Sequence, residues 1–144
     1  MEKHNFRSVI ATASLVLGLS GAGPAHADIF GGHLGAAAVG TMDIYIVTCP
    51  IGSASVKANV NDGTAVGNQI NVQVINPNGR GVSESAVDNG PPSPQAILTG
   101  GAGTYTVTVA KNTGVGEGYT VAMDCYDAAG AAIAGTQSVL VQNQ

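Results

Sequence analysis

Tryptophan is missing from this chain and aromatic residues make up only 4% of it, which leaves too few rings for a broad sugar-stacking platform. Histidine is almost as scarce. Past residue 27 only His33 remains, in a Gly/Ala-rich stretch with no neighbour to orient it. A Ser-His-Asp or Cys-His site needs a histidine held by a third group, and a zinc site needs three or four N/S ligands. One histidine and two cysteines supply neither. Basic residues are few as well: beyond residue 27, Lys57, Arg80 and Lys111 stand against eight Asp and Glu, a net charge of −5. Nucleic acid and anionic membrane surfaces are repelled by that balance. The surface must then be made of Ser, Thr, Asn, Gln and Gly.

What is present begins with an export signal. Lys3 and Arg7 give a positive start, residues 9–19 (VIATASLVLGL) are apolar and uncharged, and Gly21, Gly23 and Pro24 break any helix. Ala25-His26-Ala27 places small residues at the third and last positions before a cut. The run is too short for an anchor, since about 20 apolar residues are needed to span a bilayer. No cysteine follows the junction, which argues against a lipoprotein. Residues 1–27 therefore read as a cleavable signal peptide, and the mature chain is expected to be secreted or periplasmic, starting at Asp28 with no membrane insertion. Removing 27 residues from 144 leaves 117, enough for one domain.

Cys49 and Cys125 both lie in the mature part. An exported chain meets an oxidising compartment, so a disulfide between them is expected. Closing a loop of 75 intervening residues stabilises by about 4.5 kcal/mol in the chain-entropy model, before any native strain is subtracted. The pair lacks the CxxC spacing of a redox or metal-binding site.

Residues 28–42 have no stable period and read as a flexible Gly/Ala-rich arm. From Asp43 the character changes to short runs with a period of two, separated by turns and loops. Ala54, Val56, Ala58 and Val60 alternate with Ser55, Lys57 and Asn59; Ile70, Val72 and Val74 alternate with Gln69, Asn71 and Gln73. Tyr105, Val107 and Val109 alternate with threonines, and Tyr119, Val121, Met123 and Cys125 share one face. Each is the pattern of a half-buried strand. Asn61-Asp62-Gly63 reads as a hairpin turn and Asn76-Pro77-Asn78-Gly79 as a second turn. Residues 81–94, with Gly90-Pro91-Pro92-Ser93-Pro94, read as a long surface loop holding at most a short edge strand. Short strands follow at 95–98 and 136–141. The expectation is an all-β, antiparallel two-sheet sandwich of seven or eight strands over residues 43–144. The disulfide would be buried between the sheets or join neighbouring strands.

Three stretches carry a family resemblance. INVQVINPNG at 70–79 is followed by a polar loop, then AGTYTVTV at 102–109 and GYTV at 118–121. This order resembles the bacterial pre-peptidase C-terminal domain, a β-sandwich found beside secreted peptidases. The likeness spans about residues 54–125 and implies an accessory or binding module rather than a catalyst. Asn71, Gln73 and Asn76 stand where that family has acidic residues, so its calcium site is not implied here.

The remaining candidates are weighed against structural roles. Asp43, Asp124 and Asp127 are carboxylates that glycosidase chemistry could use only across a cleft with one pKa raised; they read as strand-end and turn residues. Asn59, Asn61, Asp62 and the Asp124/Asp127 pair offer oxygen to calcium, but turn chemistry explains them first. By alternation Tyr45, Tyr105 and Tyr119 point inward, leaving Tyr126 and Phe30 as spare rings. No catalytic residue, metal ligand or cofactor is assigned. The sequence thus points to a non-catalytic binding or surface structural module, whose unknown partner is a protein, a glycan or a second copy of itself. The alternative is a self-assembling fibre subunit whose arm, through Ile29, Phe30, Leu34 and Val39, adds a strand to a neighbour.

Overall fold

The computed structural model describes residues 27–36, 40–64, 69–112 and 114–144. The expected signal peptide, apart from Ala27, lies outside them. Nine strands form: β1 Asp28–Leu34, β2 Met42–Cys49, β3 Ser55–Asp62, β4 Ile70–Ile75, β5 Gly81–Ser85, β6 Ala96–Thr99, β7 Gly103–Lys111, β8 Glu117–Tyr126 and β9 Gln137–Gln142. They make two antiparallel sheets, one of order β1-β8-β3-β6 and one of order β5-β4-β7-β2-β9. Among the named strands only β4 and β5 are consecutive and hydrogen-bonded; every other connection crosses from one sheet to the other. The turn between them is the Asn76–Gly79 stretch, with Gly79 at φ +73° and Asn76 Oδ1 accepting from the N–H groups of Asn78 and Arg80.

The alternating residues fill the space between the sheets. Val56, Ala58 and Val60 of β3, with Val121, Met123 and Cys125 of β8, face Tyr45 and Val47 of β2, Ile70, Val72 and Val74 of β4, and Val107 and Val109 of β7. Burying each such aliphatic side chain contributes roughly 1.5–3 kcal/mol against the entropy of ordering the chain. Cys49 on β2 and Cys125 on β8 are bonded, with their Cα atoms 5.6 Å apart, so the disulfide ties one sheet to the other.

Two expectations differ from the structure. Asp28–Leu34, read as part of a flexible arm, is an edge strand paired with β8 from Asp28↔Met123 to Leu34↔Glu117. This is the strand beyond the expected seven or eight. Its Leu34 is fully buried, and Phe30 packs on the core with its ring 5.3 Å from that of Tyr45. The glycines that hide this strand in the sequence have a packing reason. A Cβ on Gly32 would lie 2.3 Å from the Tyr119 ring, which crosses beneath the backbone there. Second, Asn61-Asp62-Gly63 is no hairpin. Asn61 and Asp62 complete β3, paired with Thr120 and Tyr119 of β8, and the chain then crosses to β4 in the other sheet. Asp62 Oδ1 accepts from the Thr64 N–H at 3.1 Å, a local turn that redirects the chain.

The lateral edge formed by β1 and β9 is closed at one end by a main-chain bond. Gly35 N–H donates to the Gln144 carbonyl at 2.9 Å. β9 lies outside β2 with a register shift between Ile44 and Tyr45, a bulge of the kind that bends an edge away from other strands.

Gly32→Ala should destabilise the protein by about 1–3 kcal/mol, because the Tyr119 ring has no room to retreat. Thermal melting, with amide exchange through residues 28–34, checks this; an unchanged melt would show that Tyr119 does not clamp β1.

Candidate functional site

Alternation along β2 and β8 sends Asp43, Tyr45 and Tyr119 inward, where they meet at the end of the core nearest β1. The Tyr119 hydroxyl donates to Asp43 Oδ2 at 2.5 Å and lies 2.7 Å from the Tyr45 hydroxyl, which donates to it. Asp43 Oδ1 accepts from the Gln144 N–H at 2.8 Å. Burial, then the bond donated to Asp43, push the Tyr119 phenol far above its ordinary range. Burial likewise raises Tyr45. These phenols stay protonated at every physiological pH. Beside them Lys111, also buried, donates from Nζ to the carbonyls of Val115, at 2.5 Å, and Gly35. The chemistry available here is hydrogen bonding within a closed core.

A second polar group lies near the start of β8. Asp62 and Glu117 are both buried. Burial raises the Asp62 carboxyl, the Thr64 N–H lowers it, and the charges of Glu117 and Asp88 raise it further. Thr64 also exchanges bonds with Gly118, its hydroxyl donating to the carbonyl at 3.3 Å and accepting from the N–H at 2.9 Å.

The third group surrounds Asp124, on the outer side of β8. Asp124 is 1% exposed. Its Oδ1 accepts from the Cys125 N–H at 2.7 Å and from the Thr136 hydroxyl, which fixes the crossing from β8 to β9. Asp127 is separate: its Oδ1 accepts from the Ala131 N–H at 2.8 Å and closes the turn after β8. The two carboxylates therefore serve different local bonds and do not face a common cleft. Asp43 and Asp124, which read as strand-end and turn residues in the sequence, are buried, and so is Asp62 of the expected hairpin turn. Alternation alone does signal Asp43, which shares a face with Tyr45 and Val47.

The spare rings are not free. Tyr126 is half-buried, with Lys57 Nζ 3.9 Å from its ring centroid, a cation–π contact. Phe30 packs against Tyr45. Tyr45, Tyr105 and Tyr119 all point inward. Of the four assembly-arm residues, Ile29 is 67% exposed, Phe30 is half-buried, Leu34 is in the core, and Val39 lies outside the described residues. His33 is exposed on β1 opposite Gly118. Among the described residues no three His, Cys, Asp or Glu side chains form a metal-ligand group, and no helix is long and apolar enough to cross a membrane.

The five-stranded sheet presents an outer face built of cross-strand rows. Val139, Ile46, Thr106, Ile75 and Gly81 form one cross-strand row from β9 to β5. Gln142, Ile44, Thr108, Gln73 and Ser83 form the next. Met42, Ala110, Asn71 and Ser85 continue it, with Asn71 Nδ2 donating to Ser85 Oγ at 3.3 Å. None of these residues carries a charge. At about 4.8 Å between strands, the rows span roughly 19 Å. A shallow cavity of about 160 Å³ opens at one end of this sheet, between Asn76, Asn78, Ala102 and Thr104.

The raised Asp62 carboxyl predicts a pH effect with a definite sign. Below its ordinary value of 3.8 the group is protonated in folded and unfolded chains alike and costs nothing. As pH rises the unfolded chain ionises first, and the folded state loses stability until its own higher pKa is passed. Asp62→Asn keeps the acceptor for Thr64 and should melt above the wild type at neutral pH, the two converging near pH 3. Parallel melts across this range check it; a variant less stable at neutral pH would reverse the sign.

The chain matches no protein-family model and no curated protein sequence.

Proposed function

We propose that this protein is a non-catalytic, exported β-sandwich, secreted or periplasmic, that works as a binding or surface structural module. The observation that carries this is the uncharged outer face of the five-stranded sheet. In a chain with nine acidic and five basic residues, fourteen cross-strand positions on one face hold only Thr, Ser, Asn, Gln, Gly, Ala, Met and aliphatic side chains. Such a face meets a neutral partner, a glycan or a protein surface, without desolvating an unpaired charge. The buried disulfide between the sheets fits an oxidising compartment. The resemblance to the pre-peptidase C-terminal domain fits the same role. Its INVQVINPNG stretch forms β4 and the following turn, and its two later motifs lie in β7 and β8. Thr106→Glu places a charge at the centre of the face without touching the core. It should abolish retention on the bound partner, found among neutral polysaccharides and among copies of the protein itself, while the melting temperature stays within about 2 °C. Undiminished retention by the variant would remove this face from the reading.

A second reading, strand donation between subunits in a fibre, is favoured by the seating of β1. An edge strand with Phe30 and Leu34 directed into the core occupies the place a donor strand takes. A chain lacking residues 28–34 should then recover stability when a synthetic peptide of that sequence is added in trans. Light scattering on the intact mature chain decides between exchange within one molecule and between several; a monomer at all concentrations sinks the fibre reading.

A further inference from the structure

The pairing of β1 with β8 begins at Asp28↔Met123, the first position after the expected cleavage junction. Continuing that register by one residue sets Ala27 beside Asp124. Both line a small cavity of about 100 Å³ on the outer side of β8, together with Lys57, Asn59, Gln95 and Tyr126. Asp124 is 99% buried by its 1% exposure, and its Oδ1 is satisfied twice, by Cys125 and Thr136. Its Oδ2 is buried with no hydrogen-bond partner among the described residues. The nearest ammonium group, Lys57, is paired with Asp124 across the strands but lies over the Tyr126 ring. A buried carboxylate oxygen left without a donor is costly, and a cationic N–H donor offsets that cost best.

We propose that this cavity receives the α-ammonium group that leader removal creates at Asp28. The inference rests on the export reading of residues 1–27. Water hydrolyses the Ala27–Asp28 amide; Ala27 leaves with the new carboxylate, and Asp28 keeps the amine. With an ordinary α-amino pKa of about 7.7–8.0, that amine is protonated at neutral pH. In the uncut chain the same nitrogen is a neutral amide with a single hydrogen. In the cut chain it has three donors and a positive charge at the end of β1, one register position from Asp124. Processing would then lock the edge strand onto β8 and finish the four-stranded sheet. The precursor, lacking that pair, holds β1 more loosely, which suits a chain that must cross a membrane unfolded. The other titratable groups around Asp124 are Lys57 of β3, the Tyr126 phenol of β8, raised by burial and by Asp124, and the Asp28 side chain itself.

The test compares a chain released from a fusion partner with Asp28 as its first residue and one that keeps Pro24-Ala25-His26-Ala27 ahead of it. Each is made with Asp124 and with Asp124→Asn. The Asp28-first chain should melt higher by about 4 °C or more, Asp124→Asn should erase the difference, and Lys57→Met should leave it. Equal melting of the two Asp124 chains overturns the proposal. So does a difference that survives Asp124→Asn, or one that Lys57→Met removes. The intact mass of the exported protein separates the two premises. A first residue other than Asp28 overturns the processing step and the export junction with it, whereas the defined chains judge the pairing by itself.

Discussion

The Tyr119 hydroxyl is the contact on which one end of this sandwich depends. It joins β8 to β2 through Asp43 and Tyr45, and Asp43 in turn holds the main chain at Gln144. The ring that carries it lies under Gly32, so the same side chain sets how closely β1 can approach. Three segments far apart in the chain thus converge on a single phenol, buried where an unmade bond costs about 1–3 kcal/mol. Its companions explain why no apolar residue could replace it: a phenylalanine would fill the volume and leave Asp43 Oδ2 without its donor.

The opposite end of the core is held covalently. Cys49 and Cys125 link β2 to β8, the two strands that Tyr119 also joins. Nearly every connection crosses between sheets, so few contacts are local and the unfolded chain must close many long loops before they form. A covalent link between strands 76 residues apart reduces that entropy most. Phenol network and disulfide therefore act on the same pair of strands by different physics, one through desolvated hydrogen bonds and the other through the unfolded state.

Polarity divides the molecule in an unusual way. Several of its charged residues are inside or at the seams, as with Asp43, Asp62, Lys111, Glu117 and Asp124. The outer face of the five-stranded sheet carries none. Buried charges fix crossings and strand ends, where main-chain N–H and C=O groups need partners that a sheet ladder does not supply. The neutral face is left without a charge to desolvate.

Period-two alternation by itself determined the all-β class, the inward faces of β3, β4, β7 and β8, and the inward direction of both cysteines, because burial of one strand face is a local pattern. The Asn76–Gly79 turn was legible for the same reason: its geometry depends on residues within the turn. Other features were decided only by tertiary structure. Gly31 and Gly32 look like a flexible arm until Tyr119 is placed beneath them, since a close approach between distant segments leaves no local signature. Asn61-Asp62-Gly63 has hairpin chemistry, yet β3 pairs with β8 and β6, and pairing partners are not encoded in a turn. The outward-alternating Asp124 is buried because the crossing to β9 folds Thr136 over it. Which carboxylates go inside depends on what covers them, and that is settled by the packing of segments far apart in the chain.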